Sequence, residues 1–480
     1  MSLDAPHQTP KAKSQSKTRG RDIDEKRAPA QPRSFDENLA FGRSLRDVLP
    51  RGTQSRWHRR DPKVDPIAIL QAGDESRVPE LVPIRYGRML ESPFAFYRGS
   101  AAIMAADIGP APNTGLRVQA CGDCHLMNFG GFATPERNVL FDINDFDETL
   151  PAPWEWDVKR LVASFVLAAR SLGLSEAQAK ESALICARAY RKHMREYAAM
   201  HPLDVWYARI TDEDVIRTAT PSHRPRLKAR IEKALKQSGS EVDFPKLTDV
   251  VGGRLTIRDA PPLIFHPDLA RTSDFQGAVS KVLADYRSTL PEDRRALLDE
   301  YHFVDAAMKV VGVGSVGTRC WIALMMSASN DPLFLQLKEA NASVLEPFAG
   351  ASAYAHHGER VVMGQRLSQP ASDMFLGWVT GPAGRHFYVR QLRDVKIKVL
   401  IETFEAEDLM SYARNCGWVL ARAHAKAGPS GEIAGYLGSS EQFDDAMAGF
   451  ATAYADQAER DHAALKAAVR KGAVTVFTDA

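Results

Sequence analysis

Residues 119–131, QACGDCHLMNFGG, admit two chemical readings. Cys121, Cys124 and His125 fit C-x-x-C-H, the spacing for covalent haem attachment. Read one residue later, Gly122-Asp123-x-His125-x-x-Asn128 sets an acid and an amide on one loop. Phosphoryl transfer needs an acid to orient or deprotonate the attacking hydroxyl, ligands for magnesium, and a cradle plus a cation for the phosphates. Asp123 would be the base, and Asn128 would reach the metal. Past the next turn, Asp145 and Asp147 bring carboxylates to a strand end, with Asp142 on the strand itself as the alternative ligand; hard oxygen donors of this kind suit Mg²⁺. His125 could act as an acid or base, although bracing the loop is the expected role. Asp and Asn are also ordinary turn residues. The acid cluster that follows is what favours the chemical reading.

A phosphate cradle should be a glycine-rich turn, because glycine lets backbone N–H groups approach phosphate closely. Gly312-Val-Gly314-Ser315-Val-Gly317 is such a turn, placed after the apolar run MKVV. The same G-x-G-x-x-G pattern also suits a dinucleotide-binding fold, where a helix should come next. Here the runs CWIALMM and PLFLQLKEA read instead as return strands, and Lys338 near the end of the second is placed to grip a nucleotide. Glu346, on the short helix ASVLEPFA, is the candidate ion-pair partner of Lys338; Glu339 should point to the other face. Arg98, Arg390, Arg393 and Lys396 could grip an anionic group.

These residues depend on their elements. LRVQA reads as a strand leading into the loop, and NFGGFATPERNVLFDI as a hairpin turning at TPER and returning over Val139 to Ile143. WEWDVKRLVASFVLAARS is a helix ended by Gly173. Helical spacing runs from Pro66 to Ile108 and again over 175–305, and the insert 251–268 is a hairpin or a lid. From Lys309, short apolar runs separated by Gly, Asn, Asp and Pro (among them RVVMGQRL, DMFLGWV and HFYVRQL) predict a small antiparallel sheet. Helices resume at Glu402 and continue to about Arg470. The expected organisation is a disordered basic tail over 1–35, a helical lobe with the catalytic loop over 36–304, a β-rich lobe over 305–398, and C-terminal helices over 399–480 that complete the helical lobe.

Composition narrows the class. In 480 residues, 62 Lys and Arg nearly balance 60 Asp and Glu, so no strong field favours nucleic acid or a membrane surface. No apolar run is long enough to span a bilayer, and the N-terminus lacks the apolar region of a signal peptide. Five cysteines without an export signal suggest a reducing, cytoplasmic setting. That setting disfavours haem attachment, and no second Cys or His pair completes a zinc site.

Long ordered blocks, among them GRMLESPFAFYRGSAAIMAADI, CGDCHLMNFGGFATPERNVLFDINDFDETLPAPWEWDVKRLVAS, KVVGVGSVGTRCWIALM and CGWVLARAHAKAG, resemble the bacterial family called domain of unknown function 2252. The likeness runs from about residue 45 to 470. More distantly, the loop and the Asn144-Asp-Phe-Asp147 segment resemble aminoglycoside phosphotransferases and choline kinases of the protein-kinase-like superfamily. That resemblance implies Asp123 as base, Asn128 and Asp145 as metal ligands, and Asp157 as a buttress of the catalytic loop. Cys121 stands where those enzymes usually carry His or an apolar residue, and Arg319 where a kinase glycine loop prefers Val. In those enzymes the glycine loop and lysine precede the catalytic loop, whereas here Gly312 to Lys338 follow it. The implied fold is therefore α+β, two-lobed, kinase-like and circularly permuted, which chain termini lying close together would permit. The expected function is an ATP- and Mg²⁺-dependent phosphotransferase, transferring a phosphoryl or nucleotidyl group to an unidentified small molecule or protein, without nucleic-acid or membrane partners. The alternatives are a non-catalytic nucleotide-binding module and, further off, a dinucleotide-dependent oxidoreductase.

Overall fold

The acid-rich segment folds on local cues. β1 (Arg117–Ala120) pairs antiparallel with β4 (Leu150–Pro153). Between them β2 (Phe129–Ala133) and β3 (Val139–Ile143) form the expected hairpin, with Phe129 opposite Ile143 and Ala133 opposite Val139. Arg137 takes the positive φ (68°) that closes its turn. The structure, a computed structural model, describes residues 33–477 apart from 58–59, 62–63, 237–239, 269–272, 311, 313 and 393–394. The proposed tail therefore lies almost wholly outside the described residues, as does Arg393. At Phe35 a helix already begins, Phe35–Val48, capped by Ser34 in a reciprocal arrangement with Glu37.

The insert at 251–268 contains most of a hairpin and a short edge strand. β5 (Thr248–Val251) and β6 (Arg254–Ile257) are joined by Gly252 and Gly253, both at positive φ, the requirement of a tight hairpin turn. β7 (Ile264–Phe265) then adds to the edge of a six-stranded sheet made with β8 (Tyr301–Lys309), β9 (Cys320–Ser327), β10 (Pro332–Glu339), β11 (Gly377–Thr380) and β12 (His386–Gln391). The spatial order is β11-β12-β10-β9-β8-β7, with every pair antiparallel. The sheet thus starts at Ile264 rather than near 305. Antiparallel pairing across β8, β9 and β10 is not the parallel arrangement of a dinucleotide-binding fold. β13 (Lys396–Ile397) leaves the sheet and pairs with β2, tying it to the acid-rich hairpin.

One expected strand is a helix. RVVMGQRL lies in His357–Ser368, where Val361 and Val362 are buried in the main core with Leu376 and Tyr388. Short apolar runs fit either state, and here the flanking cap decides: His356 Nδ1 accepts a hydrogen bond from Glu359 N (3.2 Å). The His356 ring also stacks on His386, with centroids 4.0 Å apart. Its Nε2 is buried without a partner. Burial, then the charge that His386 could carry, pushes His356 down to about 4. Between pH 6.5 and 4 the unfolded chain therefore binds a proton that the folded chain refuses, so stability falls as pH drops through that window. Replacing His356 by Asn, which keeps a cap acceptor, is expected to remove on the order of 1–2 kcal/mol of that pH dependence. Urea denaturation at several pH values checks it.

Segments before and after the sheet share one core. The helix Trp154–Ser171 is buried on nearly all sides, as a central helix must be. It packs with Glu176–Ala198, Ala406–Lys426 and Gln442–Arg470, and Trp154 stacks on Tyr190 at 5.6 Å. Among the described residues no helix is long and apolar enough to cross a membrane.

Candidate functional site

β1 delivers the chain to the acid–amide loop, and the helix that follows β4 anchors that loop. Asp157 accepts hydrogen bonds from Cys121 N (2.7 Å) and Gly122 N (3.0 Å), while His424 Nε2 lies 3.2 Å from its Oδ2. Gly122 is obligatory here. Its φ is +83°, and a Cβ would stand 2.3 Å from Glu148 O. Gly122→Ala is expected to cost about 2 kcal/mol or more through the left-handed backbone and that clash, readable as a lowered Tm.

Asp123 is bound by Arg160, whose Nε donates to Oδ1 at 2.6 Å and whose second nitrogen lies closer still. Burial raises the Asp123 pKa, and Arg160 opposes the rise. The other carboxylate oxygen, Oδ2, is 3.8 Å from His125 Nε2. His125 is buried, and burial followed by the charges of Arg98 and Arg160 holds it well below its ordinary range, so it is neutral. Asn128 Nδ2 donates to Asp123 O (2.7 Å), which leaves its Oδ1 as the acceptor end. Cys121 and Cys124 are buried free thiols, and burial pushes Cys124 up to about 12. Their sulfurs lie within 4.8 Å of each other and of Asp157. Both oxygens of Asp157 are already engaged, so the group packs the loop from below.

Across the loop the three acids take different roles. Asp147 Oδ2 receives Lys338 Nζ at 2.7 Å and Ser315 Oγ at 3.3 Å, and Oδ1 receives the Tyr388 hydroxyl at 2.6 Å. These donors, Lys338 first, outweigh burial and keep Asp147 below the usual carboxylate range. Asp145 is less committed. Its Oδ2 is 3.9 Å from Lys338, its Oδ1 accepts Asp147 N, and 34% of the side chain is exposed. Partial burial and the neighbouring Asp147 charge raise its proton affinity. Asp142, in contrast, faces away. It is 1% exposed and paired with Arg422 at 2.8 Å, a core ion pair outside the lining of the cleft.

The glycine turn closes one side. Gly312 and Gly317 take positive φ (65° and 88°). The segment 77–88 holds the turn: Arg88 Nη1 donates to Gly312 O at 2.6 Å, Val78 N donates to Gly317 O at 2.8 Å, and Arg77 Nη1 donates to Val316 O. Ser315 and Lys338 thus reach the acids together. The pairing of Lys338 with Glu346 does not form, because Glu346 folds back on its own turn and accepts from Ser343 N at 3.3 Å. Glu339 is taken by Arg319 and Arg385. Arg390 bonds Gln336 Oε1 and Asn144 O; with Lys396 it lines a separate cavity of about 340 Å³.

A cleft of about 270 Å³ joins these parts. It is lined by the acids and amide Asp123, Asn128, Asp145 and Asp147 with His125, by Gly312, Gly314 and Ser315 of the glycine turn, and by Arg77, Arg85 and Arg98. Arg160 and Tyr388 were missed by reading the sequence. Arg160 had a signal, since it lies three residues after Asp157 and so shares its helix face. Tyr388 had none, because only the β10–β12 register sets it opposite Lys338.

Fold and cleft together define a mixed α+β protein in which an antiparallel sheet and a helical core meet at an acid-rich loop. The chain belongs to the family described as an uncharacterized protein conserved in bacteria (DUF2252), which matches residues 77–468. No curated protein and no solved structure matches it.

Proposed function

We propose that the cleft is the site of an ATP- and Mg²⁺-dependent phosphotransferase of kinase-like, circularly permuted architecture, acting on an acceptor yet to be identified. One observation carries the reading: the glycine turn lines one cleft with Asp123, Asn128, Asp145 and Asp147, and Lys338 bonds Asp147 from behind that lining, although these residues lie far apart in the chain. The acids suit a divalent cation. Lys338 neutralises Asp147 but leaves Asp145 partly open beside it, with a raised proton affinity that a cation would relieve. Asp145 and Asn128 Oδ1 would hold Mg²⁺, and the glycine turn, Ser315 and Lys338 would take the phosphates. Bound ATP supplies the transferable group. Asp123 Oδ2 orients the acceptor hydroxyl and takes its proton, while Arg160 keeps the carboxylate ionised.

The Arg160 clamp also supports a second reading, a nucleotide-binding module without catalysis, because a carboxylate held by a guanidinium is a weaker base. Thermal unfolding separates the possibilities. ATP with Mg²⁺ is expected to raise Tm, by about 2.7 kcal/mol of stabilisation at a hundredfold excess over Kd. NAD should not, and Asp145→Asn should erase the Mg²⁺-dependent part. Protection by NAD alone would refute the nucleotide-triphosphate site; protection by ATP without turnover in any acceptor screen would favour the binding module.

A further inference from the structure

Most charged groups around the cleft are already satisfied. Arg85 Nη1 pairs with Asp74 at 2.8 Å and Arg85 Nη2 donates to Gly99 O, while Arg77 reaches Asp74 and the Val316 carbonyl. Glu339 is held by Arg319 and Arg385, and Glu148 Oε2 accepts Val344 N. Asp123 is held by Arg160, and Asp147 by Lys338. Among the described lining residues, the two least committed charged groups are Asp145, which is assigned above to the cation and has only a long contact to Lys338 and one backbone donor, and Arg98. Arg98 Nε is buried and makes no hydrogen bond. The guanidinium carbon lies 5.9 Å from the centroid of the Phe94 ring. Burial weakens its hold on its proton, against the fields of Asp123 and Glu91.

Its main chain also underlies the cradle, since a Cβ on Gly314 would stand 3.3 Å from Arg98 O. Arg98 is half-buried, with its Nε shut off from water and unpaired; such a nitrogen is unfavourable without an acceptor, and the planar fork of a guanidinium matches an oxyanion's paired oxygens. Resting on the phosphotransferase reading, we propose that Arg98 is the receptor for an oxyanion held beside Asp123. The oxyanion is either the terminal phosphate of the nucleotide or an acidic group, carboxylate or phosphate, on the acceptor. In both cases Arg98 would place negative charge next to the base, where an attacking hydroxyl and the group it attacks must meet.

Titration calorimetry on the full chain tests this with wild type, Arg98→Met and Arg98→Lys. The probes are ADP with Mg²⁺, a non-hydrolysable ATP analogue with Mg²⁺, and inorganic phosphate added to protein saturated with each nucleotide. ADP affinity should stay within about twofold in all three proteins, because Arg98 is assigned neither its phosphates nor its metal. Phosphate added to the ADP-saturated protein should bind about tenfold or more weakly to Arg98→Met, the loss of a charge-assisted hydrogen-bonded pair. Arg98→Lys should fall between, since it keeps the charge but loses the fork; it also keeps the test readable if the Met variant fails to fold.

The sources then separate. If the analogue loses about tenfold on Arg98→Met and phosphate no longer binds the analogue-saturated wild type, the terminal phosphate is the ligand. If phosphate still binds the analogue-saturated wild type through Arg98, the ligand is an acidic acceptor. Equal phosphate and analogue affinities in wild type and Arg98→Met overturn the proposal, as does phosphate that binds neither protein while the analogue binds both equally. Should neither nucleotide bind while phosphate still binds through Arg98, the oxyanion site stands and the phosphotransferase reading falls.

Discussion

Asp123→Asn is expected to lower turnover by a factor of about 10² to 10⁴, the usual worth of a general base, while ATP affinity stays within about twofold. The carboxylate is held by Arg160 and makes no hydrogen bond to Lys338, which would hold the phosphates, so binding and chemistry should separate. The sequence alone suggests that stability would hardly change. The structure corrects that, because Arg160 is 3% exposed and Asp123 is its carboxylate partner. Asn keeps an oxygen for the Arg160 Nε donor but removes the charge, and removing one member of a buried pair outright costs about 3–5 kcal/mol. A loss of about 1–3 kcal/mol is therefore expected, and activity should be assayed well below the lowered Tm. Arg160→Met gives the complementary result. Without the guanidinium the Asp123 pKa rises further, so the acidic limb of the rate–pH profile should move to higher pH while some turnover persists. If Asp123→Asn turns over ATP like wild type across the pH range, Asp123 is not the base.

The largest stability effect should come from an acid outside the cleft. Asp142→Ala is expected to destabilise the fold by about 3–5 kcal/mol, because it strands a fully buried cation. Arg422 is 0% exposed, and its Nη2 donates to both oxygens of Asp142 and to Ser368 O, whereas its Nε and Nη1 have no partner at all. Deleting Asp142 leaves that guanidinium one carbonyl. The double variant Asp142→Leu with Arg422→Met removes both charges and should recover most of the loss, as apolar replacements of buried pairs commonly do. Chemical denaturation of the two single variants and the double variant measures the coupling. A Mg²⁺-dependent nucleotide affinity that drops in Asp142→Ala at unchanged stability would instead return Asp142 to the metal site.

What the sequence determined on its own is local. The hairpin Phe129–Ile143, the helix Trp154–Ser171 and its stop at Gly173, and the C-terminal helices follow from period, caps and turn residues. Those preferences act within a few residues and survive any tertiary context that does not oppose them. The acid–amide loop was legible for the same reason, since Gly122, Asp123 and Asn128 are neighbours in the chain. Where the short apolar runs were equivocal, their surroundings chose: RVVMGQRL became a helix through the His356 cap with Val361 and Val362 in the core, and Ile264–Phe265 became an edge strand. Charge partners lay further beyond reach. Lys338 meets Asp147 across 191 residues, and Asp142 meets Arg422 across 280. Asp142 and Asp145, three residues apart, ended as a core ion pair and an open carboxylate. No local preference separates two such acids. Their roles depend on which surface each meets after folding, because the cost of burying a charge is offset only by a partner that the tertiary structure brings alongside.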